Sequence, residues 1–284
     1  MKKVIKKVIN SFGFELSNLQ SYKNQIKLND LNNKEKFELK NAIDRLRFIV
    51  SNTKYPNLEP FGISGFFRYS IEEILQSKSQ IFQDLFVLYC LKRKMNGFFV
   101  EFGATNGISL SNTFLLEKQY HWNGILAEPA IIWKDKLLKN RNCKIETNCV
   151  WAESDKILTF YETEVAELST IGLFADVDTH SENRRDNKSY NVNTISLIDL
   201  LKKYDAPVDI DYLSIDTEGS EFDILNSFDF SKYNITIITV EHNYTSKREE
   251  IFSLLISKGY KRVFEAISLF DDWYVKESLL NSFQ

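Results

Sequence analysis

The apolar and polar positions of this chain fall into two regimes that change over at Gly97. Before it, apolar residues recur at helical spacing. Val4, Ile5, Val8, Ile9 and Phe12 oppose Lys2, Lys3, Lys6 and Lys7, and Phe37, Leu39, Ile43, Leu46 and Ile49 mark a second amphipathic helix over 35–50. Residues 51–70, with Pro56, Pro60, Gly62 and Gly65, read as a loop. Ser70 followed by Glu73 has the capping-box spacing, which predicts a helical region from there to Lys94.

After Gly97, short apolar runs alternate with helical stretches. Strands are predicted at 98–102, 124–128 and 143–151, the first joined through a glycine turn (103–107) to a helix reaching Glu117, and the second followed by a helix over 132–139. Residues 157–195 break the rhythm with one strand at 158–161 and a long polar stretch holding Asp176, His180, Arg184 and Arg185. That stretch reads as a lid over an acceptor or a plain surface loop. The alternation then resumes: helix 196–203, strand 212–215, helix 222–228 opened by Ser220 and Asp223, strand 235–240, helix 246–257 closed by Gly259, and a terminal pair at 260–264 and 273–275. Strand–helix repetition of this kind predicts an α/β fold with a mostly parallel sheet, preceded by a helical cap over 1–95 and occupying 96–284.

Bulk properties narrow the function without choosing it. A chain of 284 residues with 43% hydrophobic and 26% charged content suits one soluble α/β domain with an appendage. A net charge of −3, with Lys and Arg spread evenly, gives no reason to expect a nucleic-acid partner. Cys90, Cys143 and Cys149 lack zinc-site spacing and read as free thiols in a reducing compartment. No run of eighteen apolar residues and no secretory h-region is present, which points to the cytoplasm. The basic amphipathic segment 1–16 fits either peripheral contact with the inner face of a membrane or docking on its own domain.

Chemistry concentrates where strands end. Gly103-Ala104-Thr105-Asn106-Gly107 follows the first strand, which carries Glu101. Glu128 ends the second strand 21 residues after Gly107, the distance at which a βαβ unit presents an acid to a ribose. Asp216, Glu218 and Glu221 follow the strand at 212–215, and Glu241, His242 and Asn243 follow the next. In open α/β sheets, ligands bind outside the carboxyl ends of the strands, so four polar strand ends on one rim predict a site. His242 is the base suggested by residue type, and Asp216 is the alternative base or an orienting group. Asp216, Glu241 and His242 could also hold one divalent cation such as Mg²⁺.

These stretches resemble the FkbM-type methyltransferases. The resemblance rests on Phe99-Val100-Glu101-Phe102-Gly103-Ala104-Thr105-Asn106-Gly107, Ser111-Asn112-Thr113, Leu116-Glu117-Lys118, Trp122-Asn123-Gly124, Glu128-Pro129, Ile195-Ser196-Leu197, the run from Tyr212 to Glu221, Val240-Glu241-His242-Asn243 and Asp272-Trp273. It covers roughly residues 97–276 and does not extend into the helical start. It implies a class I (Rossmann-like) fold with a seven-stranded sheet whose last strand is antiparallel. It implies S-adenosyl-L-methionine as cofactor and O-methylation of a hydroxyl on a sugar, glycan or polyketide-like small molecule. Carried over by position, Glu101 and Gly103, Ala104, Thr105, Asn106 and Gly107 would flank the methionine part of the cofactor. Glu128 would bind the ribose hydroxyls, and Cys149 and Val150 would lie near adenine. Asn106 stands where the family often has Asp.

Two other classes share some of these features. A nicotinamide-dependent oxidoreductase also uses strand, glycine turn and ribose acid, but the four-residue spacing of Gly103 and Gly107 is not its GxGxxG pattern. A membrane-peripheral scaffold without activity would account for the basic start and helical cap, and leaves the four polar strand ends unexplained.

Overall fold

The computed structural model of the chain describes residues 40–42, 44–45, 62–70, 73–162, 170–171 and 188–281. The expectations for the basic segment 1–16 and most of the helix 35–50 fall outside these residues, as does the lid over 163–169 and 172–187.

Residues 40–42 and 44–45 are helical, within the helix expected over 35–50, and are followed by α1 (Ile63–Ser70) and α2 (Gln83–Cys90). Here the structure departs from expectation. Ser70 ends a helix instead of opening one, its Oγ donating to the Phe66 carbonyl at 2.7 Å, and the predicted loop 51–70 is helical from Ile63 onward. A serine at i+4 satisfies the turn above it as readily as it caps the turn below.

The main sheet contains β1 (Phe98–Phe102), β2 (Asn123–Ala127), β3 (Lys144–Glu146), β8 (Asp209–Ile215), β9 (Asn234–Glu241), β10 (Tyr260–Val263) and β11 (Asp271–Lys276). Its order is β3-β2-β1-β8-β9-β11-β10, and β11 alone runs antiparallel to its neighbours. This is the Rossmann-like class I arrangement, with the order reversing at β1 and β8, where a parallel sheet opens a crevice at its carboxyl edge. The helices between these strands are α3 (Phe114–Tyr120), α4 (Lys134–Asn140), α5 (Leu197–Lys203), α6 (Glu221–Ser227), α7 (Lys247–Ser257) and the short α8 (Glu265–Ser268).

Strand alternation divides the core in two. Val100, Phe102, Leu213, Ile215, Ile238 and Val240 face one side. Phe99, Tyr212, Ile237 and Trp273 face the other, where they share a single core with Phe66, Phe82 and Phe86 from the helical start. Phe86 stacks on Trp273 with ring centroids 4.5 Å apart. The described helices α1 and α2 are thus packed as one layer with the sheet.

The predicted strand 143–151 is split. Lys144–Glu146 joins the main sheet, whereas β4 (Cys149–Trp151) joins a second sheet with β5 (Ile157–Glu162), β6 (Thr170–Ile171) and β7 (Lys188–Ser196), in the order β4-β7-β5-β6. The break falls where Glu146 turns its Oε1 back onto the N–H groups of Thr147 and Asn148. Among the described residues no helix is long and apolar enough to cross a membrane.

Candidate active site

The carboxyl ends of β1, β2 and β8, with β4 and β5 of the second sheet, enclose a cleft of about 830 Å³, counting the part open to solvent. Among the described residues its charged lining is entirely acidic: Glu101, Glu128, Asp216 and Glu218.

The turn after β1 approaches β8 closely. Gly103 has φ +74°, and a Cβ there would lie 2.0 Å from the Asp216 carbonyl oxygen, so only glycine fits. The helix predicted to follow Gly107 is delayed to Phe114, and Glu101 is the reason. Its buried carboxylate accepts the Asn112 N–H at 2.7 Å and the Ser111 hydroxyl at 3.0 Å, and it is also bound by the Thr113 hydroxyl. These bonds hold 111–113 in a wrapped loop. Arg141, buried, completes the cluster: Nε donates to Glu117 Oε2 at 2.6 Å, one terminal nitrogen donates to Ser111 Oγ and the other to Thr113 Oγ1. Asn106 is absorbed locally, its Oδ1 accepting the N–H groups of Ile108 and Ser109.

Glu128 sits at the end of β2 with Oε2 accepting the Thr105 N–H and Oε1 the Ala130 N–H, each at 2.8 Å. Burial, against those two bonds, pushes it up to about 7. Each oxygen accepts one protein donor, which leaves it a second lone pair for a hydroxyl. Cys149, Val150 and Phe160 form an apolar wall beside it. The Cys149 thiol is pushed up to about 12 by burial, so it acts as surface for packing and not as a nucleophile.

On the β8 side the strand register builds a row. Glu101, Ser214, Thr239 and Trp273 are successive partners across β1, β8, β9 and β11. Two residues further along on the same face stand Asp216 and Glu241, with Asp271 paired to Glu241. One oxygen each of Asp216, Glu218 and Glu241 lie within 4.8 Å of one another. Burial pushes Asp216 up to about 6, partly offset by its hydrogen bond to Glu241. Burial, and then the charge of Asp216, raise Glu241 well above the carboxylate range. The two therefore hold one proton between them, with Glu241 the protonated partner. Asp271 is pushed up to about 8 by burial, and its Oδ2 accepts from Gln83 Nε2 at 2.8 Å.

The turn carrying Asp216 is held by Glu221. Its Oε1 accepts the Thr217 N–H and hydroxyl, each at 2.9 Å, and both of its oxygens accept the Gly219 N–H. The expected capping by Ser220 does not occur; its hydroxyl donates to Thr217 Oγ1 at 2.7 Å.

Two expected groupings are not brought together. The alternation that delivers Glu241 to the row turns His242 to the opposite face, where it is buried with Nε2 3.8 Å from Asp272. Its Nδ1 accepts the Tyr244 N–H at 3.0 Å, and burial lowers its pKa to about 4. His242 does not line the cleft, so the structure gives it neither the expected role of base nor that of metal ligand. In the carboxylate group its place is taken by Glu218, held at φ +59°. Sequence reasoning named Glu218 among the acids after the strand at 212–215 without giving it a role, and missed Asp271 and Gln83. The parity of 240–242 was the available signal for His242, while Gln83 left none.

Among solved structures, a crystal structure of methyltransferase FkbM from Methylobacillus flagellatus KT is 11% identical, covering 82% of this chain and 58% of its own, with a TM-score of 0.39. Precorrin-6y C5,15-methyltransferase from Geobacter metallireducens GS-15 is 9% identical over 68% of this chain and 85% of its own, with a TM-score of 0.36. The chain thus spans little more than half the length of the first of these, and likeness at this level adds nothing on mechanism. A search of curated proteins gives no match. The profile of the methyltransferase FkbM domain matches residues 101–272, more than half of the chain. On that match, which runs from the Glu101 cluster through the acidic row to the start of β11, the chain belongs to the FkbM methyltransferase domain family.

Proposed function

We propose that this protein is an S-adenosyl-L-methionine-dependent O-methyltransferase acting on a hydroxyl of a sugar or related small molecule. The observation that carries the reading is the acidic lining that the described residues give a cleft bordered by Glu128 and Asp216. A cofactor with a sulfonium, an ammonium and ribose hydroxyls brings the donors and positive charge such a lining lacks. A dinucleotide would place its pyrophosphate against the same acids, which disfavours the nicotinamide alternative.

The fit is specific to residues. Glu128 keeps one free lone pair on each oxygen for the ribose hydroxyls, and Cys149, Val150 and Phe160 offer the apolar wall that a purine needs. The close approach of Gly103 to Asp216 sets the floor between them. When bound, the cofactor supplies an activated methyl group with a neutral thioether as leaving group. The chain has two tasks: to align the acceptor oxygen and to take its proton.

Asp216 suits the second task. It lies on the cleft wall, and its proximity to Glu241 keeps one proton in the pair. At neutral pH Asp216 is the ionised member, ready to accept the hydroxyl proton as the oxygen attacks. Glu241 spreads the charge through the shared hydrogen bond.

Calorimetry and thermal shift with S-adenosylmethionine, S-adenosylhomocysteine and NAD test the reading. Stabilisation by the first two, at one site per chain, is expected; stabilisation by NAD alone would sink it. A chelator arm belongs in the activity assay, because loss of methyl transfer on adding EDTA would reassign Asp216, Glu218 and Glu241 to a divalent cation.

A further inference from the structure

We infer that Gln83 is a positioning residue for Asp216: by supplying a hydrogen bond to Asp271 it leaves the Glu241 proton to Asp216. The inference rests on Asp216 as the base and adds the residues that govern its hydrogen bond. Gln83 lies on α2, outside residues 101–272 that match the family.

Glu241 has one O–H to give and two acids beside it. Asp216, on the cleft wall, shares a hydrogen bond with it. Asp271 stands directly opposite it across β9 and β11. The His242 N–H donates to the Phe270 carbonyl at 2.8 Å, which makes Glu241 and Asp271 a pair of the narrow antiparallel kind. In such pairs the Cα atoms lie about 4.5 Å apart and the side chains are adjacent. The neighbour that receives the proton's hydrogen bond is the one whose anion is favoured.

Gln83 chooses between them. Its Oε1 accepts the Ile81 N–H at 3.1 Å, and a backbone N–H can only donate, so the amide has one orientation. Nε2 therefore faces Asp271 as a donor, 2.8 Å from Oδ2. The turn that delivers this buried amide is itself held. Phe82 has a left-handed backbone, φ +68°, and the Arg45 guanidinium lies 5.1 Å from its ring centroid. Trp273 is a second donor to Asp271. Asp271 is thus supplied from α2 and from its own strand, whereas Asp216 has its hydrogen bond from Glu241. Glu241, Glu221, Glu101, Glu128 and Asp271 act on Asp216, and each is an acid, so none of them can substitute for that bond as a cation would. Without Gln83, Asp271 becomes a buried acceptor short of a donor, and the O–H opposite it belongs to Glu241.

The test follows the aspartate carboxyl ¹³C signals of the labelled full chain from pH 4 to 9, with Asp216 and Asp271 assigned from Asp216→Asn and Asp271→Asn. Gln83→Leu should move the Asp216 midpoint up by about one pH unit, the worth of one hydrogen bond to an anion. The rising limb of kcat/KM should move with it, and S-adenosylhomocysteine affinity should not change. Gln83→Met, unbranched and equally without a donor, carries the same expectation should the leucine prevent folding. Gln83→Glu, whose protonated acid can accept from Ile81 and donate to Asp271, should leave the midpoint in place. Adding Asp271→Ala to Gln83→Leu removes the competing acceptor and should bring the midpoint back. A midpoint that Gln83→Leu or Gln83→Met moves by less than about 0.3 unit would overturn the inference. So would an equal shift in Gln83→Glu, or a double variant that stays shifted. Failure of the underlying reading is seen separately, as absence of S-adenosylhomocysteine binding by calorimetry or undiminished turnover in Asp216→Asn, and the carboxyl titration depends on neither.

Discussion

Two carboxylate clusters lie one step apart along the same face of the sheet, and they are built on opposite principles. In the first, Glu101 and Glu117 surround a buried arginine and are met by serine and threonine hydroxyls and by backbone N–H groups. In the second, Asp271 is buried and Asp216 and Glu241 are half-buried with no cation in the row, and their hydrogen bonds are to Gln83, Trp273 and one another. A buried charge that is paired and fully bonded holds structure together. Buried acids without a cation can relieve their repulsion only by keeping protons, which suits proton transfer and binding of a cationic ligand. The first cluster shapes the loop, and the second carries the proposed chemistry.

Removing the cation should break this contrast most severely. Arg141→Met leaves the buried Glu101 without a positive partner and Glu117 with only the exposed Lys118, a change of about 3–5 kcal/mol. Expected is a fall in melting temperature of about 10 °C or more, with S-adenosylhomocysteine binding lost because the 107–113 loop is released. A melting temperature within 2 °C of the unsubstituted protein, roughly 1 kcal/mol at this size, would show that hydroxyl and backbone donors suffice for these acids.

Asp216→Asn should do the reverse. Taking one acid out of the uncompensated row relieves repulsion, so the melting temperature should hold or rise. Methyl transfer should fall by about 10²–10⁴-fold, the range for loss of a positioned general base. S-adenosylhomocysteine affinity should change little, because that product has a neutral sulfur. A destabilised Asp216→Asn with undiminished turnover would make the row a structural cluster like the first.

How much of this was legible in the sequence depends on the range of the interactions. Buried strands, the glycine turn and the acids at strand ends are local patterns, and β1, β2, β8 and β9 follow them. β7 was not predicted, since Lys188-Ser189-Tyr190-Asn191 carries polar residues on a half-exposed second sheet. The helix expected after Gly107 is displaced by contacts from Glu101 to Ser111, Asn112 and Thr113. Those are tertiary bonds that periodicity does not record. His242 is the sharpest lesson: residue type made it the base, but it follows Glu241 directly, and consecutive residues of a strand point to opposite faces. Gln83 reaches Asp271 across 188 residues, a contact that only the folded chain brings about.

The smallest predicted effect separates the clusters by the direction of their pH dependence. Asp216, Glu128 and Asp271 have native values raised to about 6, 7 and 8, chiefly by burial. Between their ordinary values near 4 and these raised ones, the folded protein holds protons that the unfolded chain has released. Stability then falls as pH rises, by up to about 1.4 kcal/mol per unit for each such group, and levels off above the highest raised value. Glu117 behaves oppositely. Against desolvation, Arg141 and its hydrogen bonds hold its carboxyl below the ordinary range, so its contribution is present above that range and is lost as pH falls through the lowered value. The stability curve should have an acid limb from the arginine cluster and an alkaline limb from the row, with the maximum between. Urea unfolding from pH 3 to 9 resolves the two. Asp271→Asn should flatten the alkaline limb between about pH 5 and 8 and leave the acid limb in place, whereas Glu117→Gln should flatten the acid limb alone. If Asp271→Asn leaves the alkaline limb unchanged, the row does not keep its protons in the folded state, and the distinction between an acid held for structure and one held for chemistry fails at its foundation.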